Sequence, residues 1–346
     1  MAMAEVTVRG AGIFGLSIAW ACVQRGAKVR VIDPFGAGAG SSGGLVGALA
    51  PHVPENWNPK KAFQLESLLM AQGFWQEVEQ AGGTSAGYGR TGRLQPIQDD
   101  RALALAQARS NSAKDLWQDN AIWQVIPAAD VGNWAPPSAT GFLIHDTLSG
   151  RMFPRQACGA LVAALKAQGC EVQSTGDDMG RVVHATGYHG LLSLSEHLGK
   201  PVGNGVKGQS LLLDFDARDK PQLFADSLHV IPHANGTTAI GSTSERTFDT
   251  PNDTDAQLDE VHARAIQAMP QLAQARVLER WAGVRPRAKS RAPMIGPWPN
   301  RTGHFIANGG FKIGFGMAPK VAAVMADLIL EGIDTIPAGF RVEDNL

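Results

Sequence analysis

The stretch Val6-Thr7-Val8-Arg9-Gly10-Ala11-Gly12-Ile13-Phe14-Gly15 decides the fold. A short apolar strand runs into Gly-x-Gly-x-x-Gly, and residues 13–25 follow at once as an apolar helix. A second strand, 28–32, then ends on Asp33. Gly10 permits the tight turn, Gly12 lets the backbone approach a pyrophosphate, and Gly15 lets helix pack on strand. The helix N-terminus turns its free N–H groups and partial positive charge towards the phosphates. Asp33 stands where an acidic residue binds ribose hydroxyls. The motif alone is weak, but strand, helix and acid together point to dinucleotide binding; the alternative is a glycine-rich turn in an ordinary βαβ unit.

Outward from Asp33 runs Pro34-Phe-Gly-Ala-Gly-Ala-Gly-Ser41-Ser42-Gly-Gly-Leu-Val-Gly47-Ala48-Leu49-Ala-Pro51-His52, too glycine-rich for helix or strand. Small residues let the backbone run close to something flat or phosphorylated, and Ser41 and Ser42 offer hydroxyl donors. The reading is a loop that embraces the cofactor, against a merely flexible surface loop.

The composition suits this class of protein. A chain of 346 residues with 44% apolar and 18% charged residues suggests about two domains and a large core. A formal net charge of −1 gives no field for nucleic acid or an anionic membrane. Cys22, Cys158 and Cys170 are scattered and odd in number, which favours a reducing compartment and argues against a structural zinc site. The first helix is too short to span a bilayer, and no basic segment precedes it, so a cytoplasmic protein is expected.

Periodicity predicts helices over 62–80, 101–118, 154–168, 256–269 and 320–330. Strands or hairpins are expected near 88–96, 142–145, 170–173, 181–187, 205–214, 223–232, 237–243, 276–286 and 304–308. Segments 142–145, 170–173 and 181–187 read as later strands of the nucleotide sheet. Trp117, Trp123 and Trp134 read as packing residues. The last unit, strand, Asn-Gly-Gly-Phe311-Lys312-Ile313-Gly314 turn and helix, repeats the logic of the first. The chain thus starts and ends in the nucleotide sheet and builds a mostly antiparallel domain between. Asp177-Asp178 is read as a turn. His229 and His233 straddle Pro232 in a strand, so no helical metal pair and no metal site is expected.

These residues resemble the FAD-dependent amine oxidases of the D-amino acid oxidase and glycine oxidase type, almost end to end. The resemblance is carried by Gly10-x-Gly12-x-x-Gly15 with Asp33, by Ser41-Ser42 through Pro51, and by Gly89-Arg-Thr-Gly-Arg-Leu94. Ala185-Thr186-Gly187 and Val206-Lys-Gly-Gln209 add to it. Its most specific part is the series Trp281-Ala-Gly-Val-Arg285-Pro286, Pro293-Met-Ile-Gly296-Pro297 and Gly309-Gly310-Phe311-Lys312-Ile313-Gly314. The resemblance implies an α/β fold: a Rossmann-like FAD-binding domain of the GR2 type and an α+β substrate domain on a mostly antiparallel sheet. The expected partition assigns 1–60, 142–200 and 292–346 to FAD and 61–141 and 201–291 to substrate. It also implies hydride transfer from the amine-bearing carbon to flavin N5, giving an imine and, with dioxygen, hydrogen peroxide.

By the same resemblance Gly10, Gly12, Ile13, Phe14, Gly15, Asp33, Pro34, Ser41, Ser42, Gly47, Ala48, Leu49, Thr186 and Gly187 hold FAD, with Gly310, Phe311, Lys312, Ile313 and Gly314 at the flavin end. FAD is expected to be noncovalent, since no cysteine lies near the flavin-facing segments. Arg285 matches the arginine that pairs with the substrate carboxylate, a role suited to a planar guanidinium; the alternative is a structural arginine at the Pro286 turn. Lys312 stands where relatives carry a second arginine: it keeps the charge, loses the fork, and is open to a second acidic group, to dioxygen activation or to flavin carbonyls. His229 replaces a tyrosine and reads as a base, a polar contact or a packed ring. His52 and Ser244 complete the expected substrate wall. Arg287, Lys289 and Arg291 read as a solvated basic rim that, if functional, attracts an acidic substrate.

The expected partners are a small amine with a carboxylate, dioxygen as acceptor, and a second copy of the chain in a homo-oligomer; nucleic acid and membrane are disfavoured. Two alternatives stand beside this reading: oxidation of a carboxymethylamino-modified tRNA base, and an amine dehydrogenase with a non-oxygen acceptor.

Overall fold

The computed structural model describes residues 5–346. Its chain order is β1 (Glu5–Arg9), α1 (Ile13–Gln24), β2 (Lys28–Ile32), β3 (Gly47–Leu49), α2 (Pro59–Gly82), β4 (Arg93–Pro96), α3 (Asp100–Trp117), β5 (Trp123–Pro127), β6 (Phe142–Asp146), β7 (Gly150–Met152) and α4 (Pro154–Ala167). There follow β8 (Val172–Gln173), β9 (Arg181–His184), α5 (Gly187–Leu198), β10 (Gly203–Asp214), β11 (Gln222–Ala225), β12 (Leu228–Pro232), β13 (Thr238–Gly241), α6 (Ala256–Ala268), β14 (Arg276–Ala288), β15 (Met294–Pro297), β16 (His304–Asn308) and α7 (Gly314–Glu331).

Two sheets carry the molecule. The first has six strands in the order β15-β16-β9-β1-β2-β8, all pairs parallel except β15 with β16. Strand β1 is central, and its inner residues Val6, Thr7 and Val8 are buried, as a parallel strand covered by helices on both faces requires. Helix α1 is buried from Ile13 to Cys22 and packs against α7 and α4. The second sheet has eight strands in the order β14-β10-β13-β12-β11-β4-β6-β5. Its longest pairing, β10 with β14, runs antiparallel from Gly203↔Ala288 to Asp214↔Arg276 with one bulge at Leu212/Leu213.

Local signals set the helix ends. Asn58 caps α2 by accepting from Lys61 N at 3.2 Å, Pro59 opens it, and Gly83 closes it at φ 63°. Asp99 caps α3 through Ala102 N at 2.7 Å. Trp117, Trp123 and Trp134 are all buried packing residues.

Three expectations are corrected. The 142–145 strand is not in the parallel sheet: β6 lies between β4 and β5, antiparallel to both. Its alternation of exposed Phe142 and buried Leu143 belongs to a sheet with unlike faces, whereas a doubly covered strand reads apolar throughout. Helix α7 begins at Gly314, six residues before the predicted start, and contains Pro319. The helix is expected to open after Pro319, yet it starts about a turn and a half earlier and forgoes the one backbone bond that residue 319 would give. Residues 187–198 form helix α5, although Gly187 reads as part of a turn.

Candidate active site

The phosphate end is built from backbone. Gly10 takes φ 103°, and a Cβ there would lie 2.3 Å from the Ala185 carbonyl oxygen, so the turn after β9 rests directly on it. A Cβ on Gly15 would meet the Gly10 oxygen at 1.8 Å. Gly12 is extended (φ −81°, ψ −177°), and the first turn of α1 holds no acid, leaving the positive end of the helix uncompensated. Two side chains do unexpected work here. Ser42 Oγ accepts from Ile13 N at 3.0 Å, so Ser42 acts first as an acceptor that caps α1 from a distant loop. The Asp33 carboxylate accepts from Ala11 N at 2.7 Å and Phe35 N at 2.9 Å, which fixes the turn that the ribose would meet.

The other end of the cradle comes from α7. A Cβ on Gly310 would lie 2.8 Å from Phe14 Cζ, and one on Gly314 would touch Ile13 Cγ2 at 3.7 Å. The N-termini of α1 and α7 therefore stand side by side. Beyond them, Gly47, Ala48 and Leu49 pair with Met152, Arg151 and Gly150; Gly47 is glycine because a Cβ would lie 2.0 Å from Met152 O. Thr186 is exposed beside the Gly10 turn, and Gly187 has φ 60°. Glycines that only a bare backbone can occupy, and two adjacent helix N-termini, fit the FAD that the resemblance implies.

Arg285 is half-buried on β14. Its Nη1 donates to Ser242 Oγ at 2.8 Å, and its Nη2 donates to the carbonyls of Thr243 and Lys207 at 2.7 and 3.1 Å. Its Nε is buried without an acceptor. The guanidinium lies over Gly208, where a Cβ would come within 2.4 Å of it. Burial pulls its pKa down to about 10, against the opposing pull of Glu245; it remains a cation at neutral pH. The side of the Phe311 ring brings Arg285, Arg287 and Lys312 together, at 5.6, 5.6 and 5.8 Å from its centre. Lys312 is exposed, and its pKa is lowered by burial of its stem and by the charge of Arg285.

His229 sits on β12 opposite Phe224, ring centres 4.7 Å apart. Burial, then Arg93 and Lys312, push its pKa to about 3. It is therefore neutral and a weak base at neutral pH, and its buried Nδ1 has no partner. His52 is tied to the buried Gln64, which accepts both from His52 N and at Nδ1. Ser244 is a correction: it is exposed beyond β13, and Ser242, two residues earlier, is the serine that meets Arg285.

Sequence reasoning also missed what stands behind Arg285. Lys207, 2% exposed, lies 3.5 Å from Glu245. Gln209 donates to Glu245 and Asp255 at 3.0 and 2.9 Å and accepts from Asp255 N at 2.8 Å. Asp255 caps α6 through Gln257 N. These side chains alternate with Gly208 on β10, so they occupy the opposite face of the strand. The alternation Val206-Lys-Gly-Gln held the clue: a lysine and a glutamine in an otherwise apolar strand need buried partners.

The comparisons with known proteins accord with this geometry. The sequence model of the DAO family, FAD dependent oxidoreductase, matches residues 5–328. The chain is 27% identical over 353 residues to the bifunctional protein ThiO/ThiG of Nostoc sp., covering 94% of this chain and 53% of that protein; it spans about half the length of such relatives. It is 26% identical to a glycine oxidase of Pseudomonas putida, over 99% of both chains. Among solved structures, glycine oxidase from Geobacillus kaustophilus superposes with a TM-score of 0.85 at 19% identity, covering 98% of this chain and 99% of that one. An iminodiacetate oxidase from Chelativorans does so with a TM-score of 0.85 at 20% identity, covering 97% and 98%.

Proposed function

The chain belongs to the FAD dependent oxidoreductase (DAO) family, and from that premise we propose that it oxidises the C–N bond of a small amine carrying a carboxylate, an amino acid or N-substituted glycine. The relatives named glycine oxidase and the structural neighbour named iminodiacetate oxidase support this substrate class. One observation carries it: Arg285 is a cation that among the described residues enters no ion pair and keeps one Nη1 hydrogen free, beside the α7 end of the cradle.

Bound FAD supplies the two-electron acceptor for the hydride that leaves the amine-bearing carbon; the imine is then hydrolysed in water. The protein's work is positioning. The carboxylate would take the Nη1 hydrogen that Ser242 Oγ leaves free, while the carbonyls of Thr243 and Lys207 keep the guanidinium from swinging. Neutral His229 offers Nδ1 to the substrate amine or its neighbourhood without adding a charge. An amine that arrives unprotonated needs no further base.

Dioxygen is the proposed acceptor. FAD is proposed to be noncovalent, in keeping with three cysteines that are all buried, two of them with thiol pKa values pushed up to about 12 by burial.

The test is the visible spectrum of the purified protein under anaerobic addition of amino acids and N-alkyl glycines. Bleaching by one of them and recovery of the yellow colour in air is the expected outcome. A yellow protein that no amine bleaches would refute the reading. Bleaching without recovery in air would replace dioxygen by another acceptor.

A further inference from the structure

We infer that the preferred substrate carries two carboxylates, one for Arg285 and one for Lys312; this rests on the amine-oxidation reading above. The observation is a surplus of positive charge. Arg285, Arg287 and Lys312 all lie within 5.8 Å of the centre of one ring, Phe311. Among the described residues none of the three enters an ion pair. The one acid that acts on Arg285, Glu245, is committed to Lys207 on the other face of β10. The cationic region continues outward. Lys60 is pushed down by burial and then by Arg291 and Arg287, so these three share one field. All this occurs in a chain whose net charge is −1.

A substrate with one carboxylate neutralises one of the two inner cations and leaves the other unpaired beside it. A second carboxylate removes that imbalance. The two cations also differ in the way such a division requires. Arg285 is fixed by three hydrogen bonds and by contact with Gly208, so it sets where the reacting carbon stands. Lys312 has a compact charge on a flexible stem and follows a second carboxylate of variable reach. Arg287, Arg291 and Lys60 add to the same positive field and raise the local concentration of a dianion more than of a monoanion.

The experiment uses the FAD-loaded enzyme with iminodiacetate and sarcosine, secondary amines that differ by the second carboxylate. The expected kcat/KM for iminodiacetate exceeds that for sarcosine by about tenfold or more, the scale of one charge-assisted hydrogen bond. It should also fall more steeply with added NaCl. Lys312→Met is expected to collapse the ratio of the two kcat/KM values, and Lys312→Arg to restore it. A wild-type preference for sarcosine, or a ratio that survives Lys312→Met while both rates fall, would overturn the inference and leave amine oxidation standing. Binding of malonate against acetate, followed by the shift of the flavin band, separates the two readings. If neither amine bleaches the flavin, yet malonate binds more tightly through Lys312, the double recognition holds and the amine-oxidation reading fails.

Discussion

Arg285 owes its position to three acceptors and to a side chain that is missing at Gly208. Arg285→Lys keeps a charge but cannot hold Ser242 Oγ and two carbonyls at once. The expected result is a roughly 100-fold lower kcat/KM for carboxylate-bearing amines, measured beside an amine without a carboxylate, which should lose far less. Histidines set the acid limit. Burial holds His184 and His233 at about 4 and His229 at about 3, below the ordinary 6.5. Below pH 6.5 the unfolded chain takes up protons that the folded chain refuses. Stability is therefore full above pH 6.5 and falls as the pH drops towards 4, by up to roughly 2 kcal/mol at pH 5 for each of the deeply buried His229 and His233, and by less for the more accessible His184. Urea midpoints at pH 8 and pH 5 check this; His233→Gln should flatten the difference. At this scale the glycines and Arg285 were legible, because each belongs to a short motif whose chemistry needs that residue type. Ser242 was not, since its contact with Arg285 depends on three strands meeting in one register.

Between elements, the decisive packing is a helix N-terminus against a helix N-terminus and a strand against a strand. Gly15→Ala would drive a Cβ into the Gly10 oxygen, so α1 would leave β1; the expected outcome is a protein purified without FAD and with a lower Tm. Gly208→Ala acts on the other element, displacing the Arg285 guanidinium. That variant should stay yellow and bind carboxylates weakly, and the flavin spectrum during acetate titration shows both at once. Behind β10, removing Glu245 leaves buried Lys207 only its longer, 3.8 Å contact with the half-exposed Asp255. Glu245→Gln is expected to cost about 3–5 kcal/mol in urea unfolding, and the double change Lys207→Met with Glu245→Met to recover most of it. The sequence disclosed β1, α1 and β2 because strand, glycine turn and helix follow within one short unit. It misled at Phe142–Asp146, whose partners β4 and β5 lie in a different sheet from the strands that follow it in the chain. It misled again at Pro319, after which the last helix was expected to begin but which sits inside α7.

For the whole molecule, the 47–49 strand joins the two halves, touching α7 on one side and β12 of the eight-stranded sheet on the other. Among the described residues no helix is long and apolar enough to cross a membrane. The expected domain partition stands as a proposal, with its boundary at 142 the weakest because β6 pairs with β4. FAD bound only by the folded state should raise unfolding stability by about 2.7 kcal/mol at a hundredfold excess over Kd; paired melts with and without added FAD measure it. The neighbouring N-termini of α1 and α7 carry one more consequence, and it concerns time. Gly15 and Gly314 touch the same cradle but leave the ribosome far apart. At roughly 5–20 residues per second, on the order of 15 to 60 s separate them. Through that interval the nascent chain holds half a nucleotide site beside an unfinished sheet, with β9 and β16 still to come. Cofactor capture is thus expected to wait for α7, and a chaperone that shelters apolar α1 until α7 emerges would raise the yield of yellow protein more than extra FAD during synthesis.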